Sequence, residues 1–418
     1  MTWDSVQGVL NLRFDPMFTS AIAATMFALG LALRKRFAFL RTFCVPAGVV
    51  GGLCMAGVIF LLHLPDVVSV HFDQALQGPL IAIFFTRVGL TGSFRLFKRG
   101  GKVMFYYLLF CWGLAVFQNV LGVALAHLFG IHPVLGVMAG AVSLEGGHNL
   151  AVVFGPYAEE LGVAGAQIVA VSAATFGLIA GGVFGAAVAE WLIKHRELAL
   201  EASEDVLYRG YHDYADNENV EVNLNDFVRA LGLILVVMAL GSWGADRIQE
   251  VIRMRWPKSA FTLPGYLGSM FLAVLFRNLN DWLRIVRIHP KSMDLISAAA
   301  VSLFLTTSMM GLKIGELYGL ALPLLLLLVV QTAAIVLIAV YLLFPLMGGD
   351  YDAAIICSGF VGHGLGAPPS AVSMMRAACE QHDLMSYKAF LIVPLCGAVL
   401  IDLVALPNII WFINYFSR

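Results

Sequence analysis

The sequence predicts an all-α membrane protein of ten transmembrane helices, arranged as two inverted five-helix repeats with a re-entrant hairpin in each. Three observations lead there: the composition, the number of apolar runs long enough to span a bilayer, and residue pairs that recur in the same order in both halves. The 418 residues are 60% hydrophobic and 13% charged, whereas soluble domains run at about 45–50% apolar and 25% charged. The start, Met1-Thr2-Trp3-Asp4, has neither a basic segment nor a small-residue cleavage site, so no cleavable signal peptide is expected. Cys44, Cys54, Cys111, Cys357 and Cys396 lie in or beside apolar runs. They read as small buried hydrophobes, with no disulfide, metal-ligand or redox spacing.

A spanning helix needs about 20 mainly apolar residues. Ten stretches qualify: 17–33, 44–62, 74–94, 103–128, 165–193, 226–248, 261–279, 293–314, 318–345 and 386–413. Two further apolar stretches, 132–156 and 351–375, are rich in Gly and small residues and carry polar residues at their centres. They read as re-entrant hairpins, because broken backbone at membrane depth is tolerated only where protein or a wet cavity satisfies it.

Positive loops set the orientation. Arg34, Lys35, Arg36 and Arg41 follow the first span; Arg95, Lys98, Arg99 and Lys102 follow the third; Arg284, Arg287 and Lys291 follow the seventh. All three loops are cytoplasmic if the N-terminus is outside. The loop from Arg247 to Lys258, with Arg253 and Arg255, then falls outside, against the rule. The polar linker 194–225 carries Glu201, Glu204, Asp205, Asp213, Asp216, Glu218 and Glu221 and reads as a solvated cytoplasmic connector.

The halves align on each other. Pro46 matches Pro264, Val88-Gly89-Leu90 matches Met310-Gly311-Leu312, Gln118 matches Gln331, Gly147-His148 matches Gly362-His363, and Gly182 matches Gly397, all at offsets between 213 and 222. Five spans per half is an odd number, so the second half is expected to be inverted. Inverted repeats with broken helices are the plan of many secondary transporters, and nothing in the sequence resembles the filter ring of a channel.

Candidate site residues follow from what is costly or permissive inside a membrane. The tip of the first hairpin is expected at Glu145, Gly146, Gly147, His148 and Asn149, and that of the second from Gly362 to Pro369, with His363, Gly364, Gly366, Ala367 and Ser370 as its binding residues. Glycine lets backbone approach a ligand, and helix N-termini at the tips suit a carboxylate. Ionisable groups within the bilayer are costly and are functional by default. Arg87 could clamp a substrate carboxylate bidentately or pair with Glu145. Glu145 could hold a cation or a proton; His148 and His363 could donate to a carboxylate or simply pack. Gln118, Asn119, Thr307, Ser308, Gln331 and Asp402 are the candidate ion ligands; the amides Gln118, Asn119 and Gln331 could instead tie helices together, and Asp402 could instead partner a scaffold cation. A metalloenzyme reading of Glu145, His148 and His363 lacks any recognised ligand spacing, so no enzymatic activity is expected.

The segments YDAAIICSGFVGHGLGAPPSAVSMM (351–375), SLFLTTSMMGLKIGEL (302–317), FLIVPLCGAVLID (390–402), ATFGLIAGG (174–182) and the Gln118-Asn119 pair resemble the bacterial sodium/glutamate symporter family, and the likeness extends from the first span to the tenth. The resemblance implies a multi-pass carrier of the bacterial inner membrane in which sodium drives glutamate inward. It also implies a plan similar to elevator carriers, with a moving core and a homodimeric scaffold. The first repeat would be 1–193, the linker 194–225 and the second repeat 226–418. Spans 1, 2, 6 and 7 would form the scaffold, and spans 3–5, 8–10 and both hairpins the core. Sodium would be the coupling ion with no other metal or cofactor; the partners would be a small anion, the lipid bilayer and a second copy, with no nucleic acid. The termini would be periplasmic.

The chain departs from the family's usual pattern in the first hairpin. The family commonly reads Ser-Gly-Gly-His-Gly-Thr-Gly where this chain reads Glu145-Gly146-Gly147-His148-Asn149-Leu150-Ala151. His363 stands where an aromatic is common, and Arg87 where a small hydrophobic or hydroxyl residue is. Gain of Glu145 and Arg87 as a pair is the simplest account. The alternative is a proton-coupled or differently specific anion carrier of the same fold that uses Glu145 and His148.

Overall fold

With no water at membrane depth, each backbone N–H and C=O must find a partner within the chain, and this protein meets the demand almost wholly with helices. The computed structural model describes residues 2–6, 9–42, 45–63, 68–93, 101–199, 222–255, 263–313, 319–366 and 368–417. In the first half the helices are α1 (Pro16–Arg36), α2 (Ala38–Thr42), α3 (Ala47–His63), α4 (Gln77–Thr91), α5 (Gly101–Leu128), α6 (Pro133–Val137), α7 (Gly147–Glu160) and α8 (Ala166–His195). In the second they are α9 (Leu224–Arg255), α10 (Gly265–Leu283), α11 (Pro290–Met310), α12 (Ala321–Ile338), α13 (Phe344–Leu346), α14 (Tyr351–Gly366), α15 (Pro368–His382), α16 (Tyr387–Leu395) and α17 (Asp402–Phe416).

Local chemistry fixes the helix ends. The Asp15 carboxylate accepts from the Phe18 N–H at 3.0 Å and Pro16 opens α1, the usual cap-then-proline start. Arg34, Lys35 and Arg36 close α1, where cations favour the negative end of the helix dipole. Pro46 and Pro264, matched in the repeat, stand immediately before α3 and α10.

Six helices among the described residues are long and apolar enough to cross a membrane: Pro16–Arg36, Gly101–Leu128, Ala166–His195, Leu224–Arg255, Pro290–Met310 and Ala321–Leu346. Of the other four expected spans, 261–279 falls on the unbroken 19-residue α10 and three are shorter or interrupted. The 74–94 stretch contains the 15-residue α4, the 44–62 stretch the 17-residue α3, and the 386–413 stretch is split into α16 and α17. A 15-residue helix rises only about 23 Å.

A small sheet was not anticipated. Strands β1 (Thr2–Val6), β2 (Val9–Phe14) and β3 (Val68–Phe72) pair in that order, β1 with β2 antiparallel and β2 with β3 parallel. It ties the entry of α1 to the connection between α3 and α4. The alternation in Val68-Ser69-Val70-His71-Phe72 is a strand pattern, but it is short and lies between two long apolar runs whose signal dominates.

The helices form two groups. In the first, α3 packs on α11 and α10 packs on α4, while α1 lies on α3 as α9 lies on α10. Exchanging the halves maps one contact onto the other. Small residues allow these approaches: a side chain at Gly89 would collide with Met270 and Ala273, and one at Gly52 with Thr306 and Met309. The second group gathers α5, α6, α7, α8, α12 and α14 to α17. Packing thus sets α4 and α11 beside α3 and α10, which differs from the expected grouping of spans 3 and 8 with the core. Gly89 is where α4 comes closest to α10, against Met270 and Ala273.

Candidate functional site

Both expected hairpin stretches are helices interrupted by a break, but the breaks are not alike. In the first, α6 passes into a π turn at Met138–Val142, with Gly140 outside helical geometry, and α7 starts after Glu145-Gly146, with Gly147 at φ +59°. Only glycine adopts that conformation cheaply. In the second, α14 runs on to Gly366 and α15 begins at Pro368; Ala367 lies outside the described residues. His363, Gly364 and Gly366 therefore close a helix instead of opening one, so they present carbonyls, not the N-terminal N–H groups expected of them. The arms α14 and α15 pack on each other, with Gly362 directly against Ala371. The arms of the first stretch lie against different neighbours, α6 on α5 and α7 on α8. Ser370 is buried in the first turn of α15. Asn149 is half-buried in the first turn of α7.

Amides from mid-span meet these breaks. Gln118 of α5 donates through Nε2 to the Gly364 carbonyl at 2.8 Å. Its repeat counterpart Gln331 of α12 donates through Nε2 to the Gln118 carbonyl at 2.7 Å. Asn119 Oδ1 accepts from the Ala141 N–H at 3.2 Å, within the π turn of the first break. Each amide is thus fixed by one end. The other end is left over: Gln118 Oε1, Gln331 Oε1 and Asn119 Nδ2 are buried without a hydrogen-bond partner. Buried polar atoms are nearly always bonded, so a cluster of unmatched ones marks a place where something else binds. Three π turns, at Met138–Val142, Ala339–Leu343 and Cys396–Leu400, lie in the same helix group, and such turns are frequent at functional sites.

Glu145 and His363 meet within this cluster, with Oε1 and Nε2 3.9 Å apart and both side chains at most 3% exposed. Asp402, at the start of α17, is near enough for its charge to act on Glu145.

Other candidates are elsewhere. Arg87 does not pair with Glu145. Its Nε donates to Asp294 Oδ1 of α11 at 2.8 Å, and Nη2 reaches the same oxygen. His148 Nε2 is 3.0 Å from Thr175 Oγ1 of α8 and does not face Glu145. Thr307 Oγ1 donates to the Leu303 carbonyl of its own helix, beside a cleft lined also by Thr19, Ser20, Asp73 and Gln77. Ser308 is held between the helix groups: Gln167 Nε2 of α8 donates to its carbonyl at 3.0 Å and to its Oγ at 3.1 Å, and its Oγ donates to the Val152 carbonyl at 3.4 Å. Thr307 and Ser308 are therefore not gathered with the amides. Among the described residues no set of three or more His, Cys, Asp or Glu converges as metal ligands.

Sequence reasoning passed over Asp294, Gln167 and Thr175. Asp294 carried a usable signal, an acid within an apolar run. Gln167 sits near the start of a span, where polar residues are unremarkable, and Thr175 lies further in, with its hydroxyl bonded to the Val171 carbonyl of its own helix.

The profile of the sodium/glutamate symporter family matches residues 12–384. The chain belongs to that family. A sodium/glutamate symporter of Escherichia coli K12 is 33% identical over 393 residues, covering 94% of this chain and 96% of the relative. One of Haemophilus influenzae Rd is 31% identical over 397 residues with the same coverage. Membership makes this symporter-family chain a multi-pass membrane transporter and not an enzyme.

Proposed function

We propose that the chain is a sodium-coupled symporter that carries glutamate, or a small carboxylate like it, into the cell across the bacterial inner membrane. The observation that carries the reading is the pair Gln118 and Gln331. Each amide is fastened through its nitrogen to a backbone carbonyl, so each turns a buried carbonyl oxygen toward no donor. A small cation satisfies oxygens of that kind, and unwound carbonyls beside broken helices hold sodium in other carriers. Asp402 supplies a compensating negative charge, the carbonyls that close α14 are of the kind a cation takes, and the Gly146-Gly147 break at the start of α7 supplies backbone that a carboxylate approaches. Sodium binding orders the breaks and raises affinity for the anion; such reciprocal coupling is typically about 1–3 kcal/mol.

In this reading the two halves are inverted repeats and the protein works as an elevator within a homodimer. The moving body is α5 to α8 with α12 to α17. The static body is α1, α3, α4, α9, α10 and α11. This places spans 3 and 8 in the scaffold, and what supports it is their glycine-mediated packing on α10 and α3. The linker is cytoplasmic and the termini periplasmic, which follows from the basic loops.

The substrate is tested by competition in proteoliposomes. Unlabelled glutamate should displace labelled glutamate during sodium-driven uptake, with aspartate next and neutral amino acids last. Stronger displacement by citrate than by glutamate would assign another carboxylate.

A further inference from the structure

The sodium and substrate roles above leave one buried ionisable pair unused. Both carboxylate oxygens of Glu145 and both ring nitrogens of His363 lack a hydrogen-bond partner, although Oε1 and Nε2 are only 3.9 Å apart. The titratable groups facing them are few. Asp402 on α17 acts on Glu145 by its charge, and the Cys111 thiol on α5 lies within reach of the charge on Glu145. His148 on α7 is turned to Thr175. Arg87 is spent on Asp294. No cation among these compensates Glu145.

A lone buried carboxylate is expensive. An imidazole alongside it changes the account, because the pair can hold one proton and remain neutral as a whole. A second proton, on the other partner, gives the pair a net positive charge. That state is costly in an empty carrier, and an anion close by stabilises it. The pair is placed for such an exchange: Glu145 is followed directly by the Gly146-Gly147 break, and His363 directly by Gly364, whose carbonyl takes Gln118.

We infer that Glu145 and His363 together form a proton site of the moving core, taking up a proton as the anionic substrate binds and releasing it as the substrate leaves. The inference rests on the symporter reading. The step balances simply. A proton from the outer solution adds to whichever partner is unprotonated, and the same proton passes to the inner solution after release; no other bond forms or breaks. Binding of proton and anion must then strengthen each other by the same factor.

The test uses the full-length protein in liposomes with a trapped pH dye and labelled glutamate under an inward sodium gradient. Glutamate uptake should acidify the lumen in step with the label taken up. Glu145→Gln and His363→Phe should lower the ratio of protons to glutamate in whatever uptake they retain. Sodium-driven uptake without acidification overturns the proton site, as does acidification that neither variant changes; the symporter reading survives both. Absence of any sodium-driven glutamate uptake overturns that reading instead. The proton site is then judged by an inward pH gradient alone: carboxylate uptake that Glu145→Gln abolishes supports it, and failure of the pH gradient to drive uptake overturns it. A purely structural role for the pair would change the rate of uptake but not this ratio.

Discussion

Arg87 of α4 and Asp294 of α11 are bonded to each other, through Nε at 2.8 Å and again through Nη2. The two residues are 207 positions apart in the chain, and they occupy neighbouring helices that belong to different halves. Asp294 is 51% exposed and Arg87 26%, and the bond ties α4 to α11. Exposure limits its strength. A double-mutant cycle with Arg87→Ala and Asp294→Ala should give a coupling of about 0.5–1.5 kcal/mol in thermal unfolding. The cycle of Arg87→Ala with Glu145→Ala should be additive. Coupling in the second cycle and none in the first would reverse the assignment.

Two glycines of α5 should respond oppositely to a methyl group. At Gly122 a side chain would run into the Gly136 carbonyl of α6, whereas at Gly113 nothing lies within 4 Å. Gly122→Ala should destabilise the purified protein by about 1–3 kcal/mol through overpacking. Gly113→Ala should be neutral or slightly stabilising, since alanine favours a helix over glycine by about 1 kcal/mol. Equal melting temperatures for the two variants would argue against the close seat of α5 on α6.

Gln118 and Gln331 should control sodium. Gln118→Ala removes a buried carbonyl oxygen and orphans the Gly364 carbonyl, and an unmatched buried group costs about 1–3 kcal/mol. The sodium concentration for half-maximal uptake should rise about tenfold or more, since each 1.4 kcal/mol is a factor of ten. Gln331→Leu should act in the same direction. An unchanged sodium dependence in both would remove the amides from the ion path.

The Gln167–Ser308 bonds join α8 of the second group to α11 of the first. If these groups slide past each other, a covalent link there must stop transport. Gln167→Cys with Ser308→Cys, oxidised in the membrane, should abolish uptake, and reduction should restore it. Full-rate uptake by the crosslinked protein would mean that the groups do not move relative to one another.

Much of this arrangement was legible in the sequence. Hydropathy located the six long apolar helices because the bilayer imposes a length and a composition that few other environments share. Gln118 and Gln331, paired in the sequence by their order in the two halves, are hydrogen-bonded neighbours. The glycine breaks were legible too, since Gly147 occupies a backbone region that side chains avoid.

Partner choice was not legible. Nothing in one sequence says that Arg87 meets Asp294 and not Glu145, because both acids lie in apolar surroundings and only the packing of α4 on α11 decides. Glu145 was recognised as unusual, but its neighbour His363 lies 218 positions away and became its partner only when α14 extended through Gly366. The β1–β2–β3 sheet escaped notice because its strands are short and flank spans whose signal dominates any window. Ser308 was recognised as polar and placed with the ions; its bond to Gln167 depends on an interface that periodicity does not encode.

The central claim is that sodium moving down its gradient drives glutamate through this chain. The most direct measurement is uptake of labelled glutamate by proteoliposomes holding the purified full-length protein, with sodium outside and potassium inside. The account predicts accumulation that saturates with sodium, collapses when a sodium ionophore dissipates the gradient, and weakens in Gln118→Ala. Accumulation that is the same with sodium or potassium outside would contradict it.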